Sequence, residues 1–146
     1  MTNDNSAHRV LVVEDECLIA LHLREALSDM GLKPHVFTEG KPALAAIDCT
    51  TYSAAVLDLG LPDISGDHIV SALLERDPKF RIVLTTGQDR HEVEQRYLGA
   101  TRVRVLSKPF DAQMLEEELA TLGVVQKPMP VNQIFARDFS EALMIA

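Results

Sequence analysis

No part of this 146-residue sequence holds the run of about 18–20 apolar residues needed to cross a bilayer. The opening stretch, MTNDNSAHR, is polar and lacks the apolar core of a secretory leader. Cysteine is scarce: Cys17 and Cys49 stand outside any CxxC pair, so reduced thiols in a cytoplasmic chain are the simplest reading. The histidines (His8, His22, His35, His68 and His91) never fall at HxH or HxxxH spacing, which argues against a histidine metal site. Positive charge is also in short supply. Against 22 Asp and Glu stand 14 Lys and Arg, a net charge of −8, and no basic cluster is present to neutralise phosphates. The RVRV at Arg102 to Val105 reads as a strand with a charged outer face and is too short to serve nucleic acid. Membranes and direct nucleic-acid partners are therefore set aside.

What is present is 47% hydrophobic and 25% charged residues, which suits one globular domain with a single core. Strand and helix signals alternate along it. RVLVV reads as a buried strand, followed by Ile19, Leu23, Leu27 and Met30 at helical spacing, with Gly31 as the stop. KPHVF is a weaker strand whose Pro34 suits an edge, and Leu44 and Ile47 mark a short helix from about Pro42. SAAVLDL is a third strand, apolar on both faces, and Ile69, Val70, Leu73 and Leu74 mark a helix ended at Asp77 and Pro78. FRIVLTT is a fourth strand. The polar helix DRHEVEQRYLGA has few apolar anchors, namely Val93, Tyr97 and Leu98. TRVRVLS is the fifth strand. DAQMLEEELATL closes with Leu115, Leu119 and Leu122 on one stripe and Glu116 to Glu118 largely outside it. Five strands interleaved with five helices predict an α/β fold, a doubly wound parallel sheet covered on both faces.

In such sheets ligands bind beyond the C-terminal ends of the strands. Those ends carry Glu14 and Asp15, Asp58, Thr85 and Thr86, and Lys108. Like-charged acids repel one another, more so when buried, unless something positive sits among them. One divalent cation and Lys108 balance the three acids, and magnesium suits a few carboxylate or carbonyl oxygens with retained waters. A carboxylate beside such an ion can act as a nucleophile toward a phosphoryl group. Asp58 ends the most apolar strand and is the best candidate, with Glu14 and Asp15 serving the metal. Lys108 and a hydroxyl such as Thr86 would hold phosphoryl oxygens.

With ED at 14–15, VLDLGLPDISG around Asp58, TTG at 85–87 and SKPF at 107–110, the chain resembles the receiver domain of two-component response regulators. The resemblance implies a flavodoxin-like sheet of order 2-1-3-4-5 over residues 8–123. It implies Asp58 as phosphoacceptor, supplied by a sensor histidine kinase or a histidine phosphotransfer protein. Asp15, Asp58 and the Gly60 carbonyl would bind Mg2+ with help from Glu14, while Thr86 and Lys108 read the phosphate. Two positions depart from the family pattern. Val105 stands where the family usually carries an aromatic ring, and Glu14 stands where Asp is commoner.

Other chemistries fit less well. A haloacid-dehalogenase type hydrolase wants an acid two residues after the nucleophile, where this chain has Gly60. No GxGxxG follows the first strand. The surviving rival is a receiver-fold interaction module that works without phosphorylation. Residues 1–7 read as a disordered N-terminus, and 124–146 as a linker followed by a short amphipathic helix. Asn132 would cap that helix, and Phe135, Phe139 and Leu143 share one stripe, able to pack on the domain itself or on a second copy as a homodimer. No output domain follows, so the expectation is a single-domain receiver working through contacts with a downstream protein.

Overall fold

A computed structural model describes residues 8–126. The expected N-terminal disorder at 1–7 lies outside the described residues. So do the tail helix with Asn132, Phe135, Phe139 and Leu143 and the homodimer drawn from it.

The described chain alternates strand and helix throughout. It runs β1 (Arg9–Val13), α1 (Cys17–Asp29), β2 (Lys33–Phe37), α2 (Gly40–Cys49), β3 (Ala54–Asp58), α3 (Gly66–Arg76), β4 (Arg81–Thr86), α4 (Arg90–Arg96), β5 (Val103–Ser107) and α5 (Ala112–Thr121). The strands form one parallel sheet in the order β2-β1-β3-β4-β5, as expected. β3 is central, and its five residues AAVLD are all buried, which explains its unbroken apolar run. β2 is an edge strand, and Pro34 sits in it beside Lys33.

Alternate residues of each strand feed two cores. Leu11, Leu57, Leu84 and Val105 face α2, α3 and α4, while Val10, Val56, Val83 and Leu106 face α1 and α5. Leu23 and Leu27 of α1 and Leu115 and Leu119 of α5 close the second core. A fully buried Leu of this kind contributes about 1.5–3 kcal/mol relative to exposure. Past Gly123, in the left-handed region at φ +78°, Val124 and Val125 still pack against that core. No described helix is long and apolar enough to cross a membrane.

Three helices begin on side-chain caps. Ser65, Asp89 and Asp111 accept the N–H groups of Asp67, Glu92 and Met114. α2 starts two residues before Pro42, because its cap comes from elsewhere in the chain: Asp63 accepts the N–H groups of Gly40 at 2.8 Å and Lys41 at 2.7 Å. The fourth helix is shorter than its polar sequence suggests. It ends at Arg96, the chain turns with Ala100 N–H on the Tyr97 carbonyl, and Leu98 is 71% exposed, so it is no anchor. Nor is the charged side of β5 simply an outer face, since Arg104 donates to Glu118 of α5 at 2.7 Å.

Candidate acidic site at the strand ends

The sheet delivers its polar strand ends to one rim. β1 runs straight into Glu14, whose backbone N–H bonds the Phe37 carbonyl of β2 and whose side chain is fully buried. Asp58 closes β3, nearly buried. Asp15, next to Glu14 in the chain, is exposed. Each of the three acids places a carboxylate oxygen within 4.8 Å of the others. Lys108, just past β5 and joined to Pro109 by a cis peptide, enters from the other side. Its Nζ donates to Glu14 Oε1 at 2.8 Å and to Asp58 Oδ2 at 3.1 Å.

The electrostatics follow from this crowding. Burial, then the hydrogen bond with Asp58, raise the Glu14 carboxyl to about 7, although Lys108 opposes the shift. Burial works against ionising Asp58 as well, but the hydrogen bonds from Glu14, the Gly60 N–H and Lys108 outweigh it and hold its pKa below the usual carboxylate value. Burial likewise disfavours the Lys108 ammonium, and its two carboxylate partners more than compensate, so it stays charged. The pair of buried acids is thus arranged to keep Asp58 as the anion. The donor set is all oxygen around one carboxylate cluster, which fits a hard divalent cation.

The remaining expected residues arrive in different ways. Gly60 meets the site through its backbone N–H, which donates to Asp58 Oδ1 at 3.0 Å. The Thr85 hydroxyl is occupied, donating to the Leu57 carbonyl at 3.4 Å. Thr86 is buried at the end of β4, and its Oγ1 accepts the Gln88 N–H at 2.9 Å. Val105 is buried in the core shared with Val93 and Tyr97, so no ring stands at that position of β5. Gly66 is needed at the start of α3, where the helix backbone runs against the Asp58 carbonyl.

Lys108 pairs with Glu14 and Asp58, as the charge balance of the strand ends led one to expect, across 94 and 50 residues. A feature of the site with no local signal in the sequence is a groove of about 440 Å³ beside Lys108, lined by Leu18, Ile19 and His22 of α1 and by Pro109 and Phe110. Leu18 is 83% exposed there, an apolar residue off the buried stripe of its helix.

A family model described as the response regulator receiver domain matches residues 10–120. The transcriptional regulatory protein PcoR of Escherichia coli is 34% identical over 116 residues, covering 78% of this chain and 50% of PcoR. The chain spans about half the length of the first relatives it matches. Among solved structures, the chemotaxis protein CheY4 of Vibrio cholerae superposes with a TM-score of 0.71 at 23% identity, covering 78% of this chain and 97% of CheY4, a likeness of fold. The response regulator TrrA of Thermotoga maritima, solved in complex with Mg2+ and beryllium fluoride, gives a TM-score of 0.65 at 28% identity over 78% of this chain and 97% of its own.

Proposed function

Because the chain belongs to the receiver domains of two-component response regulators, signalling switches by family, we propose that Asp58 is the residue on which it accepts a phosphoryl group. The observation that supports this reading is the Asp58 carboxylate, held as an anion at the end of the central strand by Lys108 and the Gly60 N–H. The donor is a phosphohistidine on a sensor kinase or a phosphotransfer protein. An Asp58 oxygen attacks phosphorus, the P–N bond breaks as the O–P bond forms, and the imidazole leaves with its electron pair and takes a proton. An acyl phosphate results.

The protein's part is positioning and charge neutralisation. Lys108, already donating to both acids, moves one of its donors to a phosphoryl oxygen. Thr86 offers its hydroxyl to another. Asp15, Asp58 and the Gly60 carbonyl, with Glu14 behind them, would hold Mg2+; when bound, the ion neutralises charge building on the transferring group. The groove of Leu18, Ile19, His22 and Phe110 opens beside Lys108 and would seat the apolar surface around the donor histidine. The signal then passes to a downstream protein through surface contacts.

The test is phosphoryl labelling from a phosphohistidine donor in Mg2+. Wild type should label, and Asp58→Asn, nearly isosteric, should fold and fail to label. Equal labelling of the Asp58→Asn protein would remove the assignment. A wild type that never labels would leave an interaction module working without phosphate.

A further inference from the structure

The acidic rim has a basic counterpart at the other end of the sheet. Where β3, β4 and β5 begin, a cavity of about 370 Å³ is bordered by Lys79, Arg81 and Arg102, with Asp77 as its one acid. No basic run marks it in the sequence; the crossovers collect the three cations from the α3–β4 turn and two neighbouring strands. Arg81 opens β4 and Arg102 stands just ahead of β5, and the Ile82 N–H donates to the Arg102 carbonyl at 3.0 Å. Their backbones lie about 4.8 Å apart across the sheet, and like charges so placed repel. Both arginines are half-buried, which adds to the cost of leaving them uncompensated. Elsewhere in the domain Arg76, Arg90, Arg96, Arg104 and Lys108 each hold a carboxylate. Here, among the described residues, the side chains of Lys79 and Arg102 have no hydrogen-bond or ion-pair partner, and Arg81 reaches only the Gly123 carbonyl at 3.4 Å. Asp77 serves its own turn, where Oδ1 accepts the Lys79 N–H at 3.0 Å.

This cavity shares Tyr52, Asp77 and Phe80 with a second one of about 240 Å³, which continues to Ile47 of α2 and Leu73 of α3. Ile47, Leu73 and Tyr52 are buried and Phe80 is half-buried, so the second compartment has an apolar floor and an available ring. Arg76 on its border is taken by Asp48. We propose that the two cavities form one site for a nucleoside monophosphate, with the phosphate between Arg81, Arg102 and Lys79 and the base against Phe80 and Tyr52. Three cations less Asp77 leave two positive charges, which match a phosphate monoester of about −1.5 to −2 at neutral pH. Guanidinium planes pair with phosphate oxygens two at a time, and charge-assisted bonds of this kind are the strong ones. An aromatic ring beside an apolar floor takes the face of a base. Two charges do not serve a nucleic-acid strand, whose binding needs many phosphates neutralised. The site lies at the opposite end of the strands from Asp58 and stands whether or not Asp58 accepts phosphate.

The test is calorimetry and backbone amide shifts on the full chain without Mg2+, which leaves the acidic rim repellent to anions. The probes are AMP, GMP, CMP and UMP, with the matching nucleosides and ribose 5-phosphate as controls that lack the phosphate or the base. At least one mononucleotide should bind about tenfold or more tightly than its nucleoside and than ribose 5-phosphate, with shifts centred on residues 52–53, 77–81 and 102. Arg81→Gln and Arg102→Gln should each weaken that binding about tenfold or more, as expected from losing a hydrogen bond between charged groups. Phe80→Ala should bring the mononucleotide down to the level of ribose 5-phosphate. Failure of all four mononucleotides to bind overturns the site, as does full binding by both arginine variants or a set of shifts that avoids these residues. Ribose 5-phosphate binding as tightly as every mononucleotide overturns the base compartment and with it the nucleotide. If neither arginine variant folds, the exposed Lys79→Gln decides in their place, and undiminished binding there overturns the site.

Discussion

Replacing Gly66 with alanine puts a methyl group where the backbone leaves no room. A Cβ there would lie 2.5 Å from the Asp58 carbonyl oxygen and 2.7 Å from Leu59 Cα, both backbone atoms at the end of the central strand. Carbon contacts settle near 3.5–4.0 Å, so about 1 Å must be found by moving α3 or the strand end. Neither moves freely, because the Gly66 N–H is bonded to the Leu59 carbonyl at 3.1 Å. Gly66 is not in the left-handed region. In open space the alanine would therefore help by about 0.4–1 kcal/mol through the unfolded chain. Overpacking of this kind costs about 1–3 kcal/mol, leaving a net loss of roughly 1–2 kcal/mol. For a domain of this size that is a melting point lower by roughly 3–8 °C. Gly99→Ala is the control, since nothing lies within 4 Å of its Cβ position. Urea and thermal unfolding of the two variants should separate them, and phosphoryl labelling of Gly66→Ala should slow as Asp58 is displaced. A Gly66→Ala protein as stable as Gly99→Ala would refute the close approach on which this reasoning rests.

Two further outcomes are expected. Desolvation of Asp63 opposes its ionisation but is outweighed by the N–H groups of Lys41 and Gly40, so its pKa is lowered. A lowered carboxyl pKa stabilises the fold above the ordinary value near 3.9, and that stability is lost as pH falls through the folded value. The stability gap between wild type and Asp63→Asn in urea titrations should therefore be open at neutral pH and close on acidification; a gap independent of pH would contradict the charge argument. Asp15 is the exposed acid of its cluster, so Asp15→Asn should leave the metal-free fold as stable as wild type or more so, since self-repulsion falls. Its melting point should rise less than that of wild type at a given Mg2+ concentration, and identical rises would remove Asp15 from the metal site.

The sheet was legible because β1, β3 and β4 are short apolar runs and β2 and β5 carry weaker strand patterns, and the acidic rim because those runs stop abruptly at Glu14, Asp58 and Thr86. Both signals are local. The sequence carries no such signal for pairs whose members lie far apart along the chain. Asp63 caps α2 across 22 residues, and Asp67 meets Arg96 and Tyr97 across 29 and 30. Asp63, Asp67 and Arg96 each read as an ordinary solvated polar residue, and Tyr97 as an apolar anchor, until the crossovers bring the elements together. Leu98 misled for the opposite reason. Its apolar character suggested an anchor at helical spacing, but α4 ends before it and the turn at Tyr97 carries it outward. Leu18 likewise falls off the stripe of its helix, and only the placement of Phe110 shows that it borders a groove.

Pro34 and Lys33 on the edge strand bear on how the domain behaves in crowded solution. An outermost strand normally offers a row of unpaired donors and acceptors on which another chain can template itself. Proline deletes one donor from that row, and lysine places a charge along it. The opposite border, β5, is interrupted by Arg104, with Arg102 just ahead of it. Both margins of the sheet therefore resist being continued by a neighbour, and fibril growth from the folded state is disfavoured at each side. A contact between copies would have to use the helical faces, where it leaves the strand ladder intact.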